Sequence, residues 1–311
     1  MLVVPAYAKV NLTLEVTARR PDGWHDIASV ICTIDWHDLV GVSIRCTTAA
    51  PGEPIRLQQD GPFADGVSAG SDNLAARAAH RLRDVATPPG TTFDIRLVKN
   101  IPAAAGLGGG SADAAATLRA GATLLAQRGH AIPPQRQVEL AAELGSDVPA
   151  LLAGGTVLAT GRGEQLAPLP TPRLHLAVAV AGASATAAAY AALDDSERRA
   201  TGRATAHAAA LQPQGPPPPG RTNLDLALLG SALEPAACRA AAGLAGNLAR
   251  LRAATPATSW YLTGSGGAAF ALAATAAEAT DLAARARATG FTARACRTVP
   301  ARLGPLPQTA P

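Results

Sequence analysis

A glycine-rich segment, 102–113, has the sequence pattern that most clearly predicts a chemical role. It follows a stretch of alternating apolar and polar residues and holds Gly106 and the glycine run 108–110. Consecutive glycines allow backbone angles that other residues avoid, so their N–H groups can converge on phosphate oxygens. Ser111 then opens a predicted helix, whose unpaired N–H groups and positive dipole end favour an anion. The segment therefore predicts a phosphate-binding loop.

Two well-known phosphate-binding patterns do not fit this loop. A Walker A loop would continue with Gly-Lys followed by Ser or Thr, and no such sequence follows here. A dinucleotide fingerprint would need glycine where Ser111 stands, together with an acidic residue at a suitable distance. A flexible strand-to-helix turn without a ligand is the remaining alternative. Four glycines followed by a serine and a strong helix favour phosphate binding over that alternative.

The first predicted strand carries two polar candidates. Residues 9–16 alternate between polar and apolar side chains, which predicts a strand with one buried face. Lys9 and Asn11 lie together on its polar face. Composition alone favours a solvated surface lysine at Lys9, so any chemical role depends on the other motifs.

Two predicted turns present the other candidates. Arg-Pro-Asp-Gly at 20–23 has the chemistry of a tight turn, because proline presets φ and glycine accepts a positive φ. Trp24 and His25 follow that turn directly. Further along, Ser146 and Asp147 precede a short predicted helix and are both suitable N-caps. The simplest roles are a turn histidine that bonds its own backbone and an aspartate that caps a helix.

The surrounding pattern mixes strands and helices in an order typical of an α+β fold. Predicted strands cover 27–34, 39–44, 92–98, 174–180 and 268–273, and predicted helices cover 73–85, 135–144, 236–252 and 277–289. A second glycine loop, 263–267, lies between two of the predicted strands. A domain boundary is predicted near residue 160. The five prolines of 212–220 predict an exposed loop.

Composition and charge argue against several classes of protein. Hydrophobic residues make up 48% of the chain and the net charge is +4, which fits a folded protein with scattered basic residues rather than a nucleic-acid-binding arm. The four cysteines form no C-x-x-C pair and the six histidines form no H-x-x-x-H pair, which argues against a zinc site. Polar residues interrupt the first apolar stretch, and no apolar run is long enough to span a bilayer. We therefore expect a cytoplasmic protein with no nucleic-acid or membrane partner.

Several motifs occur together in the order found in the GHMP kinases. The glycine loop resembles the second signature of that family, and 5–12 resembles its opening strand with two additional residues. The segments 20–25 and 145–149 resemble the R-P-D-G-Y-H and G-S-D-V-P elements of one branch, and 161–164 and 262–266 match two further elements. That branch phosphorylates a hydroxyl of 4-diphosphocytidyl-2-C-methyl-D-erythritol, giving the 2-phosphate and ADP, in the non-mevalonate route to isoprenoid precursors.

The resemblance implies a fold and cofactors. The expected fold has two α+β domains. Residues 1–160 would resemble ribosomal protein S5 domain 2 and carry the ATP-binding loop, and residues 161–311 would form a ferredoxin-like domain that contributes to the substrate cleft. ATP would bind with Mg²⁺, and the protein would be a monomer or a homodimer.

The same resemblance implies roles for individual residues. Asp147 would be the general base, and Lys9 would keep it ionised and stabilise the charge on the transferring group. Trp24 would stack on cytosine and His25 would hydrogen-bond its edge. The residues implied at the nucleotide are Asn73, Lys99, Pro102, Gly106, Gly108, Gly109, Gly110 and Ser111. The residues implied at the substrate are Asn11, Trp24, His25, Tyr190, Gly264, Ser265 and Gly266.

Two other functions are compatible with these motifs. The first is a GHMP kinase that acts on another small molecule of the homoserine or mevalonate type, which a missing cytosine pocket would favour. The second is a non-catalytic nucleotide-binding regulator, which the loss of Lys9 or Asp147 would favour, but both residues are present. The alanine-rich segment 183–189 and Ala150 replace larger side chains that are common in the family, so they bear on substrate fit rather than on fold.

Overall fold

The computed structural model describes residues 1–46, 54–86, 90–183, 186–198, 200–212 and 224–301. Residues 213–220 of the predicted proline-rich loop and residues 184–185 of the alanine-rich segment lie outside that part of the chain. Within the described ranges, every helix is too short or too polar to cross a lipid bilayer.

The first sheet is built on a long antiparallel hairpin. Its strands are β1 (Leu2–Arg19), β2 (His25–Cys46), β3 (Ile55–Asp60), β4 (Thr91–Val98), β5 (Thr156–Gly161), β6 (Gln165–Leu169) and the short β8 (Gly230–Ser231). The order is β3-β4-β2-β1-β8, and β5 lies between β2 and β6. The predicted turn at 20–23 joins β1 to β2, with Gly23 at a φ of 85°. β2 is one continuous strand where two were predicted, because it pairs with β1 along most of its length, while its two halves also pair with β5 and β4.

Four helices pack on one face of the first sheet. They are α1 (Leu74–Ala86), α2 (Gly109–Ala126), α3 (Pro134–Leu144) and α4 (Val148–Ala153). Their apolar faces meet those of the sheet in a core that includes Val40, Phe93 and Leu118. α2 begins two residues earlier than predicted, because Gly108 takes the N-cap position with a left-handed φ of 74°.

The second sheet has the βαββαβ order of a ferredoxin-like domain. Its strands are β7 (His175–Val180), β9 (Tyr261–Leu262), β10 (Ala268–Ala273) and β11 (Thr292–Arg297), in the antiparallel order β11-β7-β10-β9. Its helices are α5 (Thr186–Ala191), α6 (Arg203–Leu211), α7 (Glu234–Ala240), α8 (Leu244–Ala254) and α9 (Ala276–Ala288). One face packs on α8 and α9, and the other packs on the first sheet. The two-domain α+β fold is thus confirmed.

β1 is buried on both faces, although its sequence predicted a single buried face. Lys9, Asn11, Thr13 and Glu15 are all buried, as are the apolar residues between them. The carboxylate of Glu15 accepts backbone N–H groups from the first turn of α6 at 2.9 and 3.3 Å, which pairs donors that a helix start leaves without partners. The second domain therefore covers the polar face of β1. The first sheet also continues past residue 160 to the end of β6, so the boundary near 160 stays a prediction.

Candidate active site

A cavity of about 1140 Å³ lies where the glycine loop, β1 and the second domain meet. All but two of the site residues predicted from the sequence line this cavity. The exceptions are Asn73 and Gly266, which are not part of its lining. Three arginines that the sequence analysis did not single out also line it: Arg19, Arg162 and Arg198.

The first glycine loop ends directly in the amino terminus of α2. Gly106 and Gly108 have positive φ of 73° and 74°, and Ala104 has a φ of 53°, which residues with side chains seldom adopt. A Cβ on Gly108 would lie 3.1 Å from Cγ of Lys9, so a side chain there would crowd the lysine. The Gly108 cap supplies no side chain to the helix start, so first-turn N–H groups are available to an anion.

The second glycine loop, 263–267, packs directly on the first one. A Cβ on Gly267 would lie 2.6 Å from the carbonyl carbon and oxygen of Ala105, and a Cβ on Gly264 would lie 3.3 Å from Nζ of Lys9. Only glycine leaves room for this close approach of two backbones. The second loop therefore forms a wall beside Lys9. Gly266 faces away from the cavity, toward Ala237 and Leu244.

Lys9 and Asp147 form an ion pair inside the cavity. Nζ of Lys9 lies 3.4 Å from Oδ2 of Asp147 and donates to Oδ1 of Asn11 at 2.8 Å. Lys9 is 4% exposed, whereas the Asp147 side chain is 39% exposed. Asp147 stands at the N-cap position of α4 but makes no side-chain capping bond. The solvated-lysine and capping-aspartate alternatives therefore both fail, and the exposed carboxylate can accept a proton from a bound hydroxyl.

Lys99 lies in a buried cluster beneath the glycine loop. Its ammonium donates to Asp38 and, at 2.5 Å, to Oδ2 of Asp113 in α2. The other oxygen of Asp38 accepts the backbone N–H groups of Asn100 and Ile101 at 2.5 and 2.7 Å. Lys99 is only 2% exposed, so its ammonium is directed at two carboxylates rather than at the open part of the cavity. We name this group, Lys99, Asp38 and Asp113, the buried triad.

Burial and charge act in opposite directions within the buried triad. Burial raises the pKa of Asp113 to about 7, although Lys99 opposes that shift. Burial lowers the pKa of Lys99, but the two adjacent carboxylates more than compensate, so the net shift is upward. Oδ1 of Asp113 has no hydrogen-bond partner among the described residues. The triad therefore holds α2, β2 and the end of β4 together at an electrostatic cost.

Asn73 caps α1 in this structure. Its Oδ1 accepts the backbone N–H of Ala75 at 2.9 Å and its Nδ2 donates to the carbonyl of Ser68 at 2.7 Å. These bonds are the ones expected of an asparagine at a helix start. The implied nucleotide contact at Asn73 therefore stays a prediction, and the structure gives this side chain a local role.

Aromatic side chains line the other end of the cavity. The rings of His25 and Tyr190 lie 5.2 Å apart with an angle of 33° between their planes. The Trp24 ring is 54% exposed, and the guanidinium of Arg162 lies 5.3 Å from its centre. Nε2 of His25 is buried and has no partner within the described residues. Burial, followed by the charges of Arg198 and Arg19, lowers the pKa of His25, which favours a neutral imidazole.

Besides Arg19 and Arg198, sequence reasoning missed Asp38 and Arg162, which also shape the site. Asp38 lies inside a mostly apolar stretch of β2, and a buried acid in such a stretch is a signal that it needs a basic partner. Arg162 belongs to the motif at 161–164, but its position over Trp24 depends on the pairing of β5 with β2. Neither contact could be derived from spacing along the chain.

The described part of the chain holds no group of three or more His, Cys, Asp and Glu side chains arranged to bind a metal ion. Asp113, the acidic residue at the end of the glycine-rich segment, is bonded to Lys99 and is buried. A protein cage for a divalent cation is thus not present among these residues. A cation would have to arrive with most of its ligands supplied by a bound phosphate and water.

Comparison with known proteins shows that this chain is similar to kinases. The family model described as the GHMP kinases N terminal domain matches residues 73–155. A 4-diphosphocytidyl-2-C-methyl-D-erythritol kinase of Rhodospirillum rubrum is 44% identical over 171 residues, which are 54% of this chain and 52% of that protein. The chain thus spans about half the length of the curated relatives it matches.

Two solved structures are similar over nearly the whole chain. The crystal structure of a 4-(cytidine 5'-diphospho)-2C-methyl-D-erythritol kinase has 32% sequence identity and a TM-score of 0.72, covering 95% of this chain and 98% of that one. The homoserine kinase of Cytophaga hutchinsonii has a TM-score of 0.69 at 18% identity, covering 98% and 96%. The second likeness shows the fold alone.

Proposed function

We propose that this chain, which belongs to the family of 4-diphosphocytidyl-2-C-methyl-D-erythritol kinases among the GHMP kinases, transfers the γ-phosphoryl group of ATP to a hydroxyl of that cytidine compound. The products are the 2-phosphate and ADP. One observation carries the proposal. A single cavity holds an anion-binding helix start, the Lys9–Asp147 pair and a group of aromatic side chains with an unpaired histidine nitrogen.

Asp147 is the general base in this proposal. Its carboxylate is partly exposed, makes no capping bond and lies beside a lysine, so it is placed to accept the hydroxyl proton. Nζ of Lys9 has three N–H donors, of which Asn11 and Asp147 account for two. The third is available to the transferring phosphoryl group. Phosphoryl transfer depends mainly on positioning and charge stabilisation, and this arrangement supplies both.

The start of α2 binds the phosphates of ATP. The backbone N–H groups of Gly109, Gly110 and Ser111 occupy its first turn, and the helix dipole adds positive potential there. Mg²⁺ neutralises phosphate charge when it is bound, and its usual coordination by phosphates and water suits a site without a protein cage. Ser111 lines the cavity, and its hydroxyl is the side-chain oxygen nearest in sequence to that helix start that could bind the cation.

The aromatic end of the cavity binds the cytidine portion. Trp24 offers an exposed indole face for stacking. Nε2 of His25 offers a hydrogen bond to the pyrimidine edge, and its lack of a partner would be relieved by that bond. Arg19, Arg162 and Arg198 line the same region and complement the negative diphosphate.

The test is ADP release from ATP and Mg²⁺ with 4-diphosphocytidyl-2-C-methyl-D-erythritol, homoserine or mevalonate as acceptor. We expect ADP release above the ATP-only background with the cytidine compound alone. Release with homoserine or mevalonate alone would assign the cavity to another acceptor. Protein that is folded and binds ATP, yet releases no ADP with any of the three, would contradict the proposal and favour a nucleotide-binding regulator.

A further inference from the structure

The position of the Lys9 ammonium depends on a chain of buried hydrogen bonds that begins on β2. The hydroxyl of Ser29 donates to the carbonyl of Thr13 at 2.8 Å. The same hydroxyl accepts from Nδ2 of Asn11, also at 2.8 Å. Oδ1 of Asn11 in turn accepts from Nζ of Lys9 at 2.8 Å. All four residues are buried.

The groups at the two ends of this series of hydrogen bonds, the Thr13 carbonyl and the Lys9 ammonium, determine which atom donates in each bond. A hydroxyl has one hydrogen, and Ser29 uses it on the Thr13 carbonyl, which can only accept. Ser29 must therefore accept from Asn11, so the amide nitrogen of Asn11 faces Ser29. At the other end the lysine ammonium can only donate, so it requires the amide oxygen of Asn11. Both requirements select the same orientation of the Asn11 carboxamide.

The backbone around Asn11 adds to this constraint. The register between β1 and β2 shifts between Asn11 and Thr13, and such irregularities redirect side chains next to active sites. The backbone N–H of Asn11 donates to the hydroxyl of Thr263 in the second glycine loop at 2.7 Å. Thr263 thus holds the main chain of Asn11 from the second domain and also donates to Oδ1 of Asn11 at 3.5 Å, whereas the Nδ2 side of the carboxamide is held by Ser29.

We propose that Ser29 is a positioning residue, which orients the Asn11 carboxamide so that the Lys9 ammonium is held toward Asp147 and the transferring phosphoryl group. Ser29 is not part of the cavity lining. The proposal rests on the proposed function for its effect on turnover. Its effect on Lys9 follows from the hydrogen bonds alone.

Nuclear magnetic resonance of the full chain can test the effect on Lys9 directly, because the sequence contains two lysines, Lys9 and Lys99. In protein labelled with ¹⁵Nζ-lysine, Ser29→Ala should shift the Lys9 signal and leave the Lys99 signal in place. Asn11→Ala should shift the Lys9 signal as well. Adding Ser29→Ala to Asn11→Ala should then cause little further change, because the two residues act through one path.

Thr255→Val is the matched control. The Thr255 hydroxyl also donates to a carbonyl, that of Leu251, and accepts a side-chain N–H, that of Trp260, but it lies in the second domain away from Lys9. This variant removes the same kind of buried hydroxyl from a different place in the fold. Because Thr255 bonds to neither lysine, both lysine signals should stay unchanged. An unmoved Lys9 signal in Ser29→Ala, equal movement of both lysine signals, or the same Lys9 shift in Thr255→Val would each overturn the proposal.

Turnover gives the second readout. Ser29→Ala should lower kcat about tenfold and leave the KM for ATP within about twofold, because it removes one hydrogen bond that supports the transition state. Reduced ATP affinity with unchanged kcat would overturn the positioning role. If Ser29→Ala does not fold, Ser29→Cys keeps a similar volume with a weaker hydrogen bond and allows the same comparison. Wild-type protein that phosphorylates no acceptor would contradict the proposed function, while the lysine signals would still decide the role of Ser29.

Discussion

The two lysines of this chain are both buried, yet their surroundings differ in one decisive respect. Lys9 shares its ammonium between an amide oxygen and a single carboxylate that is partly open to the cavity. Lys99 is enclosed by two carboxylates that are themselves buried. A lysine beside one open carboxylate keeps a donor for a reactant, whereas a lysine between two closed ones has its charge committed to the fold. Burial alone therefore does not separate a lysine that can reach a ligand from one that stabilises the fold.

In this comparison of the two lysine sites, the largest effect is expected from substitution of Asp147. Asp147→Asn should reduce turnover by about a thousandfold, because the amide cannot accept the hydroxyl proton. ATP binding should stay largely intact, since the helix start at α2 is unchanged. Steady-state kinetics and calorimetric titration with ATP would measure both effects. Near-normal turnover in a folded variant would remove Asp147 from the role of base.

The second test replaces each lysine in turn by methionine, which keeps an unbranched side chain of about the length of the lysine stem without its charge. Lys99→Met should destabilise the protein by about 3 kcal/mol, because it leaves Asp38 and Asp113 buried without a cation. Lys9→Met should reduce turnover with a smaller loss of stability, because the open side of Asp147 remains solvated. Urea unfolding beside kinetics would separate the two effects. Equal losses of stability would show that the two sites do not differ in the way described.

Trp24 lies in a third region, whose effect on substrate binding can be compared with the effects at the two lysine sites. Trp24→Ala should raise the KM for the cytidine substrate roughly tenfold, since stacking on an aromatic ring contributes about 1–3 kcal/mol per base. The KM for ATP and the stability should change little, because this ring is largely exposed. Trp24→Phe is the matched control and should retain most of the affinity. An equal increase in both KM values would contradict a stacking role.

The last expected effect is a pH dependence of stability that originates in the buried triad. Asp113 has a pKa of about 7 in the folded protein against an ordinary value of 3.8. Between these values the folded protein binds more protons than the unfolded chain, so the free energy of unfolding should fall as pH rises through this range. Asp113→Asn does not titrate and should lack this decrease. Urea unfolding at about pH 5 and about pH 8 would give the free energy of unfolding of both proteins. The same change with pH in both would show that Asp113 does not cause the pH dependence.

Much of the site could be predicted from local sequence, because its parts are local structures. The glycine run before a helix, the Arg-Pro-Asp-Gly turn and the family motifs identify the cavity lining, and the predicted family and fold class are confirmed. The bounds of individual helices were less predictable than the fold class. The predicted helix 236–252 is two helices, because Gly243 has a φ of 80° and begins a new one.

The turns, the glycine loops and the alternation along the strands can be read from the amino-acid sequence. Glycines that permit left-handed angles, a proline-containing turn and alternating apolar residues act within a few positions of one another, so their consequences are visible in the chain. Tertiary contacts settle which lysine lies beside a partly open carboxylate in the cavity and which one is enclosed by buried carboxylates. Lys9 meets Asp147 and Lys99 meets Asp38 only after distant segments pair. Charge and hydrogen bonding depend on separation in space and on exclusion of water, and neither quantity can be obtained from spacing along the chain.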